Sequence, residues 1–279
     1  MSIPRYAPDN IEELCALLSG NTNGLRIIGG GTDMTIALRE KHQRPQGLIW
    51  LGNIEQAKGI EMTSDGLVIG AMTTMTELSE SNKLSGAYKA LAEAAAGVGS
   101  EQIRSTATLG GNIANAAPAA DTLPPLMLLG AYVQVVGSEG VYWCELESIL
   151  TGGKKLPNDK AIIAVRLPKC KEGYQSVFGK LGSRRQVTIS KLSLALGVVL
   201  DGDVIKEVKA FAGAIGLVPL EVEEVSSALK GRKLNGETAE VFGRVLSELV
   251  KKAIAGRASL EYKAWSAKAV AADTLLKIK

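Results

Sequence analysis

Two short glycine runs are the residues in this sequence best suited to chemistry. The first, Ile27-Ile28-Gly29-Gly30-Gly31-Thr32-Asp33-Met34, turns an apolar segment into three glycines; the second is Thr108-Leu109-Gly110-Gly111-Asn112. A chain without Cβ atoms can turn sharply and point successive backbone N–H groups at one anion. Threonine hydroxyls and an asparagine amide add further donors. One glycine triplet alone reads most simply as a turn. Two such runs, each flanked by polar side chains, could grip a diphosphate from both sides. Neither run is GxGxxG opening a long helix, and neither is GxxxxGK[ST], so a Rossmann site is not supported and a P-loop is excluded. Asp121 follows the second run. Its negative charge repels phosphate, so it suits hydroxyls or a ring N–H; equally, it could cap a helix opening at Leu123-Pro124. Both readings stay open.

Other reactive side chains are sparse. The single histidine, His42, sits in the polar stretch Arg39-Glu40-Lys41-His42-Gln43-Arg44 and reads as solvated surface. Cys15, Cys144 and Cys170 are far apart and odd in number, so they frame neither a disulfide set nor a zinc or iron–sulfur site. No Ser-His-Asp arrangement is available. The expectation is a chain with no catalytic side chain and no metal ligand of its own. Aromatics make up only 4% of its 279 residues, which argues against a surface that stacks nucleic-acid bases. The net charge of +3 is dispersed, with Lys154-Lys155 and Arg184-Arg185 the densest basic pairs. No apolar stretch approaches the ~20 residues of a membrane span. The start, Met1-Ser2-Ile3-Pro4-Arg5-Tyr6, lacks a signal-peptide pattern, and a cytoplasmic location is expected.

The elements that must position the glycines are legible in part. Asp9-Asn10-Ile11-Glu12 looks like a helix start, Ile11, Leu14, Cys15 and Leu18 form an apolar stripe, and Gly20 is a plausible stop. Leu25–Ile28 reads as a short buried strand feeding the first run, with further strands at Leu48–Leu51 and Leu67–Ile69. Leu84, Tyr88, Leu91, Ala95 and Val98 recur at helical spacing ahead of the second run. A short proline-opened helix at Leu123–Gly130 precedes strands at Tyr132–Val136, Val141–Cys144 and Ile162–Leu167. Pro168 to Gly173 is polar and turn-rich, the best candidate boundary. Beyond it lie strand-like runs at Leu192–Leu200, Val204–Lys209 and Phe211–Leu217, with a hairpin signal at Asp201-Gly202-Asp203. Helices at Leu220–Leu229 and Thr238–Ile254 come next. The class is α+β.

Gly29-Gly30-Gly31-Thr32-Asp33, then Thr108-x-Gly-Gly-Asn112 with Pro118, Asp121 and Pro124 at fixed offsets, resembles the FAD-binding (medium) subunit of molybdenum hydroxylases, the xanthine dehydrogenase, aldehyde oxidase and carbon monoxide dehydrogenase relatives. The resemblance covers nearly the whole chain. It implies a vanillyl-alcohol-oxidase (PCMH)-type FAD-binding domain over residues 1–168, in two α+β subdomains of roughly 1–55 and 56–168. A smaller C-terminal α+β domain with an antiparallel sheet and helices would span 174–279.

The resemblance also implies roles. Ile27, Ile28, Gly29, Gly30, Gly31, Thr32, Asp33 and Met34, together with Thr108, Leu109, Gly110, Gly111 and Asn112, would hold the pyrophosphate and adenosine side through backbone N–H groups. Asp121 would bond the ribityl or ring region of the flavin, and Ile162 would pack on the ring system. Lys180 would sit near the pyrimidine end, where a cation stabilises negative charge; read from its surroundings alone, it is a lysine at a strand end. The chain departs from many relatives in carrying Val187-Thr188-Ile189-Ser190 where an acidic residue follows the arginine pair. It also has Val98 where some larger relatives place an aromatic.

The implied activity is electron transfer within a hetero-oligomeric oxidoreductase. Electrons would pass from [2Fe-2S] clusters on one partner subunit, fed by a molybdenum cofactor on a molybdopterin partner subunit, through FAD to an acceptor such as NAD. Two rivals differ in class: a stand-alone flavin oxidase of the vanillyl-alcohol-oxidase type, and a phosphate-binding scaffold without flavin.

Overall fold

The computed structural model describes residues 3–19, 24–40, 44–150, 156–184 and 187–278. Gly20, His42, Lys154-Lys155 and Arg185 lie outside the described residues. The chain packs into two compact units that interleave along the sequence: 1–77, 101–115 and 130–169 in the first, and 78–100, 116–129 and 170–279 in the second. Two segments on the N-terminal side of the Pro168–Gly173 boundary therefore pack with the C-terminal residues beyond it.

The first unit contains two sheets. The smaller is parallel, in the order Arg5–Tyr6, Gly47–Trp50, Leu25–Ile28, and the larger is antiparallel, in the order Ile60–Thr63, Gly66–Gly70, Ala161–Pro168, Tyr132–Gly137, Gly140–Glu145. Leu25–Ile28 and Gly47–Trp50 run parallel because helix Thr32–Arg39 carries the chain back between them. The two strands, with the helix between them to which the sequence reading assigned no element, form a small βαβ unit. Helix Ile11–Ser19 begins one residue later than the sequence reading. Asn10 is the cap, accepting the Glu13 N–H at 2.9 Å, while Glu13 reaches back to the Asp9 N–H at 3.0 Å. Its Leu14 and Leu18 are buried in one core with Ile49, Ile54, Ala57, Val136 and Ile163.

The second unit is built on a four-stranded antiparallel sheet in the order Leu220–Glu221, Val204–Gly213, Leu192–Asp201, Tyr174–Leu181. Val204–Gly213 is one continuous strand where the sequence suggested two, and the Gly202-Asp203 turn closes the hairpin with Gly202 at φ 60°. Both sheet faces are covered. Leu192, Leu194, Leu196 and Val198 point one way, onto Phe242, Leu246 and Val250 of helix Gly236–Ala253 and Ala267 and Ala271 of helix Leu260–Leu275. Phe178, Ala195 and Phe211 point the other way, against Ala90 and Ala94 of helix Lys89–Ala96 and Leu128 of helix Leu123–Leu128. This is the period-2 alternation of a strand with two buried faces. Among the described residues, no helix is long and apolar enough to cross a membrane.

Candidate functional site

Strand Leu25–Ile28 ends at the first glycine run, and Gly31 turns the chain into helix Thr32–Arg39 with φ 72° and ψ 6°, a left-handed conformation that favours glycine. The N–H groups of Gly29, Gly30 and Gly31 have no protein acceptor among the described residues. They continue into the first turn of the helix, whose leading N–H groups are left over by helix geometry. This is a short row of donors suited to an anion.

Gly29 and Gly30 serve a second purpose. A Cβ on Gly29 would fall 2.5 Å from Thr108 Oγ1, and one on Gly30 would collide with the Thr106 carbonyl oxygen. The missing side chains let the segment leading to the second run lie directly against the first. That second run is the opening of helix Leu109–Asn115. Its N–H groups are spent inside the protein: Leu109 donates to Thr73 O at 3.0 Å, Gly110 to Ala71 O at 2.8 Å, Gly111 to Thr108 Oγ1 at 3.2 Å and Asn112 to Thr108 O at 2.9 Å. The expectation that this run offers a second row of free backbone donors is therefore corrected. The same bonds are what bring Gly111 to the surface of a cavity, because a Cβ there would meet only the Thr108 hydroxyl, at 2.9 Å.

A single cavity of about 530 Å³ is lined by Ile27 through Met34, by Thr108, Gly110, Gly111 and Asn112, and by Ile162. That volume lies within the range of small-molecule and cofactor sites. Leu109 is absent from this lining; its side chain is wholly buried in the core beneath. Ile162 reaches the cavity because strand Ala161–Pro168 occupies the centre of the five-stranded sheet. The structure adds residues the sequence did not single out: Arg26, Met72, Asn158 and Lys160. Arg26 and Lys160 give the wall two cations, and Lys160 is held by the Tyr142 hydroxyl at 3.1 Å, a contact that raises its pKa. Proximity of Lys160 to Ile162 in sequence was the available signal.

Asp121 and Lys180 do not line this cavity; both belong to the second unit, where they hold each other. Lys180 Nζ lies 2.6 Å from Asp121 Oδ2 and also donates to the Gly97 carbonyl at 2.9 Å. The Ser190 hydroxyl donates to Asp121 Oδ1 at 2.5 Å. Burial pushes the Asp121 carboxyl above its ordinary pKa, with Lys180 and Ser190 opposing. Asp121 is not the cap of helix Leu123–Leu128, since Thr122 occupies its N-cap position, with no side-chain capping bond. Lys180 is no ordinary strand-end lysine: its side chain is 15% exposed, and it borders an open cavity of about 610 Å³ with Glu93, Arg184 and Lys277.

Among the described residues, no group of three or more His, Cys, Asp or Glu side chains could hold a metal ion, and Cys15, Cys144 and Cys170 form no disulfide. Two glycine runs meeting at one cavity, with an apolar wall and cationic edges, make a site suited to an anion with an apolar portion.

Comparison with known proteins shows the family. Residues 2–170 match the family described as the FAD binding domain in molybdopterin dehydrogenase, and residues 178–278 match the CO dehydrogenase flavoprotein C-terminal domain. The chain is 29% identical over 251 residues to a xanthine dehydrogenase FAD-binding subunit of Escherichia coli O157:H7, covering 88% of this chain and 86% of the relative. It is 29% identical over 272 residues to a nicotinate dehydrogenase FAD-subunit of Eubacterium barkeri, covering 95% and 92%. A chain in the crystal structure of cyanide-inactivated Cu,Mo-CO dehydrogenase superimposes with a TM-score of 0.88 at 24% identity, over 100% of this chain and 98% of that one, and so shares the fold.

Proposed function

This chain belongs to the FAD-binding subunits of the molybdenum hydroxylases, the xanthine and carbon monoxide dehydrogenase family, and on that premise we propose that it relays electrons from iron–sulfur clusters of a partner subunit, through FAD, to an external acceptor such as NAD. In this reading a molybdopterin subunit oxidises the substrate. Residues 1–168 form the flavin domain and 174–279 the C-terminal domain, an assignment supported by family matches that end at 170 and begin again at 178.

One observation carries the reading: the unpartnered N–H groups of Gly29, Gly30 and Gly31 and the bare face of Gly111 converge on the same cavity. The residues fit FAD, because the row of N–H groups at Gly29–Gly31 has no acceptor among the described residues and Gly111, whose absent Cβ leaves only the Thr108 hydroxyl nearby, lets a pyrophosphate approach the backbone closely. Gly29–Thr32 would donate to the pyrophosphate, Thr108 and Asn112 would close over it, and Ile162 would offer an apolar surface to the ring. When bound, FAD supplies the capacity to take up two electrons, so the chain needs no acid–base pair of its own. Its residues bind, orient and limit water.

The test is the absorption spectrum of the purified chain, before and after denaturation, with and without added FAD. Flavin bands that leave with the denatured protein's supernatant are expected. A spectrum without flavin after FAD addition overturns the assignment. Covalently retained bands would favour a stand-alone oxidase.

A further inference from the structure

Helix Leu260–Leu275 has two apolar faces. One faces the core through Ala264, Ala267, Val270, Ala271 and Leu275. The other carries Tyr262, Trp265, Ala269 and, just past the helix, Leu276 down one side, while Ala272 packs against the core. Trp265 is 73% exposed, Leu276 63% and Tyr262 46%. A soluble helix ordinarily turns charge to the solvent on that side.

Two segments that meet this helix near its start also expose large apolar side chains. Lys191 stacks its ammonium over the Tyr262 ring at 4.8 Å, and two residues before it Ile189 is 80% exposed. Lys263 donates to the Ala214 carbonyl at 2.9 Å, and three residues beyond Ala214, Leu217 is also exposed. Large apolar side chains exposed together along one helix face mark an interaction site.

Charge narrows the occupant. Lys191, Arg257 and Lys263 lie close enough that the first two, after burial, lower the Lys263 pKa. Among the described residues none of the three has a carboxylate within salt-bridge distance. Glu261 is the acidic side chain on that turn of the helix, against three cations. A second copy of the chain seated on the same face would set these cations against their own equivalents across a two-fold axis.

We propose that the Tyr262–Trp265–Leu276 stripe and its cationic border form the docking surface for another subunit of the dehydrogenase complex, one that presents an apolar groove with an acidic rim. The inference rests on the multi-subunit reading above and adds the surface by which this chain joins. Burial of Trp265 supplies the anchor, and the cations set orientation and association rate.

The experiment uses the full chain, tagged, with the subunits that co-purify in stoichiometric amounts identified by mass, separated and re-associated with Trp265→Glu, Lys191→Glu and, as a control elsewhere on the surface, Met62→Ser. The expected result is at least tenfold weaker re-association for W265E and, for K191E, a slower association that depends less on salt than that of wild type, with M62S like wild type. Circular dichroism and FAD titration of each variant alone should match wild type, separating docking from folding. Wild-type affinity in both W265E and K191E overturns the surface while leaving the complex intact. A wild-type chain that co-purifies with no other subunit overturns the multi-subunit reading itself. A wild-type dimer of this chain that W265E converts to monomer shows a second copy as the occupant and overturns the proposal.

Discussion

Lys180 and Asp121 form a buried ion pair 2.6 Å apart in which both carboxylate oxygens are already engaged, one by Lys180 and the other by Ser190. Two residues that family resemblance assigns to separate contacts with a flavin are thus partners of each other. Removing the carboxylate with Asp121→Ala leaves an ammonium stranded with only the Gly97 carbonyl. The expected loss in urea unfolding is about 3 kcal/mol, as for breaking other buried pairs. Asp121→Asn, which keeps a bond from Ser190, should lose less. A loss of only ~1 kcal/mol for D121A would be that of a helix cap and would contradict the pairing.

The glycines divide by what their missing side chains permit. Gly111→Val projects into the cavity, so FAD affinity should fall at least tenfold in a fluorescence titration while the apoprotein melts within a few degrees of wild type. Gly30→Ala drives a methyl into the Thr106 carbonyl oxygen and should instead destabilise the fold by ~1–3 kcal/mol. Undiminished FAD affinity in G111V would place the pyrophosphate elsewhere.

FAD that binds only the folded chain must stabilise it. At a free concentration 100 times the dissociation constant the gain is ~2.7 kcal/mol. Differential scanning calorimetry should show the melting temperature rising with FAD in wild type and unmoved in G111V over the same range. Equal shifts in both proteins would refute the site.

Cys170 offers a pH test. Burial holds its thiol above the ordinary value, the Tyr88 contact opposing. The raised pKa means less thiolate at any given pH below it, and thiolate is the reactive form. Iodoacetamide labelling with mass-spectrometric readout should find Cys170 slower than free cysteine at pH 8, with the rate still climbing above pH 9. Labelling as fast as free cysteine at pH 8 would show the thiol to be exposed and unshifted.

Much of the site was readable because its signals are local. A strand running into three glycines announces a turn with spare donors, and Gly202 between two aspartates announces a hairpin. What escaped reading depends on distance. The Thr73 and Ala71 carbonyls that consume the Leu109 and Gly110 N–H groups come from another part of the chain, so the second run looked freer than it is. Lys180 and Asp121 are brought together by tertiary packing alone. Helix Leu260–Leu275 went unread for a different reason. Apolar residues on two of its faces blur the single-stripe periodicity by which helices are recognised, and that same feature singles it out in the structure.

The interleaving of the two units along the chain bears on how the protein is made. Helices Lys89–Ala96 and Leu123–Leu128 are synthesised early, yet the surface that covers them is completed by Phe178, Ala195 and Phe211. On a ribosome adding about 5–20 residues each second, Ala90, Ala94 and Leu128 wait for seconds with their partners unmade. The second unit cannot close until Phe211 has emerged, and a chain that stops at residue 170 carries two helices with no sheet to receive them.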